Sequence, residues 1–342
     1  MGLFGKNAKS FLLDKGYEKE GGERAVPLGT GNFAEVYKAK RKTTIKWDHG
    51  NGNEGTLNEG EYVAIKIIDK SKVEDMNDIT REIDIMKKVK HENIIQLYEC
   101  LDEPKRMNLV MELVTGGELF DRIVSKGNYS EKDAATTIVT LCSALHHLHE
   151  RKIVHRDLKP ENILYKDTSD DSPIKLADFG LAREIAPGGA MMKTACGTPG
   201  YVAPEILKNE GYDSPAVDMW SVGVILYILL CGFPPFYEEE LPALFDSILH
   251  ARYDFPSPWW DTISPGGKTL VKELLELKID KRLDAKTTMQ HDFCKTASDK
   301  SLSDAQKALK KFQANRRLRK AALGVIAQQR LEKALAELRM AK

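Results

Sequence analysis

The chain has 342 residues, 42% of them hydrophobic and 30% charged, which is enough apolar material for one large or two medium cores and excludes a wholly disordered chain. Its 51 basic and 51 acidic residues cancel, but residues 305–330 hold eight Lys/Arg and no Asp/Glu, leaving 43 basic against 51 acidic elsewhere, a net of −8. An acidic body with a basic segment near its end calls for a partner to that segment.

Residues 1–22 are short, polar and Gly-bearing, and read as a flexible lead-in. Gly2 begins a myristoylation pattern, but Lys6 stands where the motif wants Ser or Thr. Residues 24–40 and 61–68, rich in Val, Ala, Ile and Tyr, predict strands. Between them the Gly- and Asn-dense insertion 42–60 reads as a long, mobile surface loop away from any chemistry. Ile79, Ile83, Met86 and Val89 are spaced for a helix over 75–90. Residues 94–114 predict two more strands, and Ser130 with Asp133 resembles a capping start for a helix through Leu148. The apolar run Val222–Phe233, closed by Pro234 and Pro235, is about half the ~20 residues that span a bilayer, so it predicts a buried helix and no transmembrane segment. No secretory signal opens the chain. The five cysteines, Cys100, Cys142, Cys196, Cys231 and Cys294, form no C-x-x-C pair, which favours a reducing, cytoplasmic setting over a disulfide framework or zinc site. A strand-rich first third before a helix-rich remainder gives an α+β class: a small β lobe on a larger helical lobe.

Four segments carry chemistry. Leu28–Val36 reads L-G-T-G-N-F-A-E-V, in which Gly29 and Gly31 let a strand-turn-strand approach an anion through backbone N–H groups. Lys66 closes V-A-I-K and can serve as a point charge over phosphates, with Glu82 on the following helical pattern able to neutralise and orient it. In I-V-H-R-D-L-K-P-E-N-I-L, Asp157, Lys159 and Asn162 lie within six residues, a spacing that brings a carboxylate base, a cation and an amide oxygen to one loop. In I-K-L-A-D-F-G, Asp178 ends an apolar strand, well placed for Mg²⁺, which takes one or two carboxylates beside phosphate oxygens.

At these residues the chain resembles the protein kinases over about residues 23–294, with every motif in the family's order. The resemblance implies a bilobal kinase fold and transfer of the ATP γ-phosphate with Mg²⁺. Leu28, Gly29, Gly31 and Val36 would cover ATP, Ala34 replacing a frequent third Gly. Lys66 would contact its α/β-phosphates and pair with Glu82. Asp157 would accept the substrate hydroxyl proton, Lys159 would steady the γ-phosphate, and Asn162 and Asp178 would hold the metal. Met111 falls at the gatekeeper position, so backbone groups of Glu112 and Val114 would meet adenine. Ala203–Glu205 is the family's A-P-E, with Arg282 the expected partner of Glu205, and Asp218 matches its structural Asp.

G-G-E-L-F-D-R-I at Gly116–Ile123, Cys196–Glu205 and Gly232–Phe236 look like the calcium/calmodulin-dependent group. That likeness implies Ser/Thr substrates, with Lys159 and Thr198 as its markers. Glu118 and Glu161 would read basic residues of the substrate, Arg three before the acceptor among them. Thr194 would be an activating phosphosite for an upstream kinase, read by Arg156. Lys310–Leu323 is a basic helix with Phe312 and with Ala314, Leu318 and Leu323 at 1-5-10 spacing, a calmodulin-type or membrane-surface signal. Similarity to the type II enzyme's regulatory segment favours Ca²⁺/calmodulin. Residues 295–342 are therefore expected to form an autoinhibitory and calmodulin-binding segment, of which about 296–325 would lie across the cleft and inhibit it until calmodulin removes them. A kinase-fold scaffold without activity and a membrane-surface tail are the competing readings, and no nucleic-acid partner is expected.

Overall fold

The computed structural model describes residues 11–31, 34–185, 198–208 and 214–317. The N-terminal lobe is one antiparallel sheet. Strands β1 (Tyr17–Lys19) and β2 (Gly29–Thr30) both pair with β3 (Ala34–Arg41). Next to β3 come β6 (Tyr62–Asp69), β8 (Arg106–Glu112) and β7 (Leu97–Asp102). Strand alternation turns Val63 and Ile65 of β6 to the outer face and Lys66 and Ile68 to the inner one. Helix α2 (Met76–Lys88) starts at the expected place because the Asp75 carboxylate accepts the Asn77 N–H (2.9 Å). It buries Ile79, Ile83 and Met86 in the main core with Ile68 and Leu109.

Two expectations for this lobe need correction. The lead-in is not free from residue 11 on. A short helix α1 (11–14) buries Leu12, and β1 buries Tyr17 completely. The Tyr17 hydroxyl bonds Glu99, and the Arg41 guanidinium stacks 4.3 Å from its ring while donating to Lys15 O (2.6 Å). The insertion 42–60 is not a mobile loop either. It folds into a hairpin, β4 (Ile45–Asp48) on β5 (Glu54–Leu57), that lays Trp47 and Leu57 on the outer sheet face against Val63, Ile65 and Val110. Its glycines have local uses: Gly50 and Gly52 turn with φ of 80° and 76°, and a Cβ on Gly55 would stand 2.7 Å from the Trp47 ring.

The C-terminal lobe is helical. Helices α3 (Leu119–Ser125) and α4 (Glu131–Glu150) come first. Ser130 and Asp133 form the expected reciprocal cap on α4, the Ser130 N–H donating to Asp133 Oδ2 (2.9 Å). Short pairs β9 (Ile153–Val154) with β12 (Arg183–Glu184), and β10 (Ile163–Tyr165) with β11 (Ile174–Leu176), frame the loops that carry the chemistry. Helix α5 (Pro204–Leu207) precedes α6 (Ala216–Cys231), which is buried all round from Val217 to Cys231, as an evenly apolar helix must be. Gly232, at φ 89°, ends α6 before the two prolines are reached. Helices α7 (Leu241–Leu249), α8 (Pro265–Leu274), α9 (Ala285–Gln290) and α10 (Asp292–Thr296) complete the lobe. A last helix, α11, is described over 303–317 and buries Ala305 and Leu309 against it, with Leu302 buried just before its start. Gly232 makes that contact possible, since a Cβ there would fall 2.2 Å from Ala305 O. Among the described residues no helix is long and apolar enough to cross a membrane.

Candidate active site

The site begins with a buried carboxylate. Asp218, on α6, accepts the backbone N–H groups of His155 (2.9 Å) and Arg156 (2.8 Å) and the His149 Nε2 (2.9 Å). Burial alone would raise its pKa, but the bond and charge of His149 outweigh it and hold the carboxyl below its ordinary range. These bonds clamp the loop after β9 in a demanding conformation: Arg156 has φ 69°, and Asp178, on the neighbouring loop, has φ 64°. Left-handed backbone at a non-Gly residue costs about 1–3 kcal/mol and persists where surrounding bonds over-determine it.

Asp157 follows directly and is 8% exposed. Its Oδ2 accepts Lys159 Nζ (2.5 Å) and its Oδ1 accepts the Thr198 hydroxyl (3.0 Å). Asn162 Nδ2 donates to the Asp157 carbonyl (2.9 Å), which leaves its amide oxygen as an acceptor. A carboxylate has about four lone-pair sites, so Asp157 keeps room for one more hydroxyl donor.

Across the cleft, Lys66 Nζ donates to Glu82 Oε1 (2.6 Å). Burial would lower the Lys66 pKa, but the Glu82 and Asp178 carboxylates together hold it above the usual value. The cation is therefore fixed, charged and within the field of Asp178. The Asp178 Oδ1 accepts only a long contact from Gly180 N (3.3 Å), and the side chain is exposed to the cleft. Asp178 and Asn162 offer one carboxylate and one amide oxygen, hard donors of the kind Mg²⁺ prefers when phosphates fill the rest of its shell. Among the described residues no group of three or more His, Cys, Asp or Glu forms an all-protein cage.

The turn above is open. Leu28 N donates to Val36 O (2.7 Å) and Gly31 N to Ala34 O (2.7 Å), and a Cβ on Gly29 would meet nothing within 4 Å. Asn32 and Phe33 lie outside the described residues. Met111 and Glu112 end β8 where the chain passes between lobes, with Val114 two residues on. The Glu112 carboxylate is turned onto Lys175 Nζ (2.8 Å), so only its backbone can face a base in the cleft. Glu205 and Arg282 form a buried bidentate pair (2.6 and 3.1 Å), and the Arg282 guanidinium also donates to Ala216 O, fixing the segment after Thr198 to α6.

At the cleft's rim the structure adds residues the sequence did not single out. Arg316 of α11 reaches Glu118 (3.1 Å) and Glu161 (3.0 Å) at once. Gln313 donates to Asp121 (3.0 Å), Arg317 pairs with Asp121 (2.6 Å), and Gln306 donates to Ile123 O and Lys126 O. The signal was present as an Arg doublet in a basic helix and an acidic pair flanking α3. Within the described residues α11 runs along α3 and meets the site at Arg316. Phe312 is half-buried and packed on the lobe, and Ala314 faces solvent. Thr194, Leu318 and Leu323 lie outside the described residues.

A family model of the protein kinase domain matches residues 23–294. The calcium/calmodulin-dependent protein kinase type IV of Rattus norvegicus is 46% identical over 89% of this chain and 61% of its own length. The chain thus spans about three-fifths of that relative. A calcium/calmodulin-dependent protein kinase type 1 of Macrobrachium nipponense is 42% identical over 97% of this chain and 95% of its own. Myosin light chain kinase A of Dictyostelium discoideum is 46% identical over 82% and 90%. With the family's domain matched across most of its length and such relatives along nearly all of it, the chain belongs to the protein kinase family.

Proposed function

We propose that this chain is an ATP-dependent Ser/Thr protein kinase acting on basic motifs, held inactive by α11 and released by Ca²⁺/calmodulin. The observation that carries the catalytic part is the Lys66–Glu82 pair (2.6 Å) facing an Asp157 already bound by Lys159 and Thr198. A scaffold without activity has no need to keep a buried, charged Lys in register with a carboxylate base. In this reading ATP lies under Leu28, Gly29, Gly31 and Val36, with its base at the Glu112 and Val114 backbone. Lys66 and Lys159 bear on its phosphates as fixed positive charges. Asp157 orients the substrate hydroxyl and takes its proton as the oxygen attacks the γ-phosphorus, while the bond to the β–γ bridging oxygen breaks and ADP leaves with its electron pair. Asn162 and Asp178 would hold Mg²⁺, which neutralises charge on the phosphates. Such catalysis is positioning and electrostatics, with no covalent role for the protein.

The regulatory part rests on Arg316. Glu118 and Glu161, expected to read a substrate Arg, are bonded to this chain's own Arg316. A basic substrate and α11 therefore compete for the same carboxylates. The positive charge that suits this acidic rim also suits acidic calmodulin, which would take Phe312, Ala314, Leu318 and Leu323 as its apolar face. Calmodulin binding would then be a population shift between two partners of one helix. Phosphorylation of Thr194 by an upstream kinase adds about −1.5 to −2 charge for Arg156 to read.

The test is phosphorylation of a Ser peptide with Arg three before the acceptor, using Mg²⁺ and ATP. Transfer to Ser that fails on a peptide lacking the Arg supports the reading, and absence of transfer with Ca²⁺-calmodulin present refutes it.

A further inference from the structure

The inserted hairpin ends on the helix that carries Glu82. Asn53, in the turn just before β5, is 2% exposed, and its Nδ2 donates to both Lys87 O (2.6 Å) and Val89 O (3.0 Å). Those carbonyls belong to the C-terminal end of α2, where the last four C=O groups of a helix have no donor of their own. The rest of the hairpin fastens the same corner. Lys90 Nζ donates to Glu54 O (2.8 Å), His49 Nε2 lies 3.1 Å from Leu97 O, and the Trp47 ring packs on Tyr98 at 5.7 Å between centroids. The other end of α2 is tied by Asp78 to Arg183 (2.9 Å), on the segment that follows Asp178. Glu82 sits between these two ties, five residues before Lys87, or about 7.5 Å along a rigid helix. A shift of the C-terminal end therefore becomes a shift of the Glu82 carboxylate.

We propose that Asn53 is a positioning residue for phosphoryl transfer: it caps α2 from the insertion and so keeps Glu82 in register with Lys66. The inference rests on the kinase reading above. Asn53 touches neither nucleotide nor protein substrate, and acts through the helix. The hairpin is thus part of the machinery that sets the active position of α2, built from residues inserted between two sheet strands.

The experiment uses the full chain with Ca²⁺-calmodulin present and measures kcat/KM for ATP. Asn53→Ala takes this donor from the buried Val89 carbonyl and the part-buried Lys87 carbonyl, and the expected loss is about 5- to 20-fold. In a Glu82→Gln background, where the ion pair is already gone, the same change is expected to cost less than about twofold. A purely structural role gives equal losses in both backgrounds and overturns the proposal, as does wild-type kcat/KM in Asn53→Ala. If Asn53→Ala does not fold, Lys90→Ala loosens the same corner from the surface. It is expected to lose about two- to threefold in the wild-type background only, and no loss overturns the proposal. Failure of the kinase reading looks different, because the wild-type chain itself would then transfer no phosphate.

Discussion

The catalytic loop and helix α11 both bring charged side chains to one rim of the cleft, yet they are held in opposite ways. The loop hangs from a buried carboxylate with three donors and carries a left-handed residue, so its geometry is over-determined. Helix α11 is held by partly exposed ion pairs, with Arg316 26% and Glu118 37% accessible, and by three apolar residues at its start. An open groove of about 840 Å³, lined by Leu230, Phe233, Trp259, Ile263 and Phe312 among others, runs beside its contact with the lobe. The difference teaches that one region is over-determined by buried bonds while the other hangs on a few accessible ones.

The largest expected effect falls on the fixed region. Asp157→Asn removes the proposed proton acceptor while keeping its size, and turnover should fall by at least about 10²–10⁴-fold with thermal unfolding unchanged. Near-normal turnover would place the chemistry elsewhere. Next, Arg282→Ala strands the buried Glu205 carboxylate. Breaking a buried pair costs about 3–5 kcal/mol, to be read from urea unfolding. A loss under about 1 kcal/mol would mean that the Glu205–Arg282 pair does not anchor this lobe.

Helix α11 should respond more gently. Arg316→Ala breaks two partly exposed pairs, each worth up to about 1 kcal/mol, so basal peptide phosphorylation should rise about two- to tenfold without loss of stability. Unchanged basal activity would show that Arg316 does not restrain the site. The smallest effect is acid sensitivity in the fixed body. Burial, then the Arg151 and His91 charges, push the His147 pKa down to about 4. A depressed basic group is protonated first in the unfolded chain, so stability falls as pH drops from about 6.5 towards 4. His147→Asn should flatten that slope in urea unfolding, and an unaltered slope would assign it to other groups.

The same contrast governs what could be read beforehand. The main sheet strands and α2, the cap on α4 and the buried α6 follow from local signals: alternation, the spacing of Ile79, Ile83, Met86 and Val89, Ser130 with Asp133, an unbroken apolar run. Lys66, Glu82, Asp157 and Asn162 were legible because motif order carries them, although nothing local says that Lys66 and Glu82 meet. The hairpin was missed because Gly50, Gly52 and Gly55 read as loop. Only the Trp47 ring above Gly55 explains the last of them. Tyr17 was missed because three strand residues give too short an alternation, and its burial depends on Arg41 and Glu99, far along the chain. Arg316 was hidden by its neighbours, since a run of basic residues does not say which one finds Glu118 and Glu161.

The most direct test of the account measures one rate twice. The 342-residue chain is given a basic Ser peptide with Mg²⁺ and ATP, first without and then with saturating Ca²⁺-calmodulin, and its rate is followed. The account predicts a low rate that rises by about tenfold or more, the factor that about 1.4 kcal/mol of released restraint supplies. An equal rate in both conditions, at the level of a chain truncated after about residue 295, would contradict it.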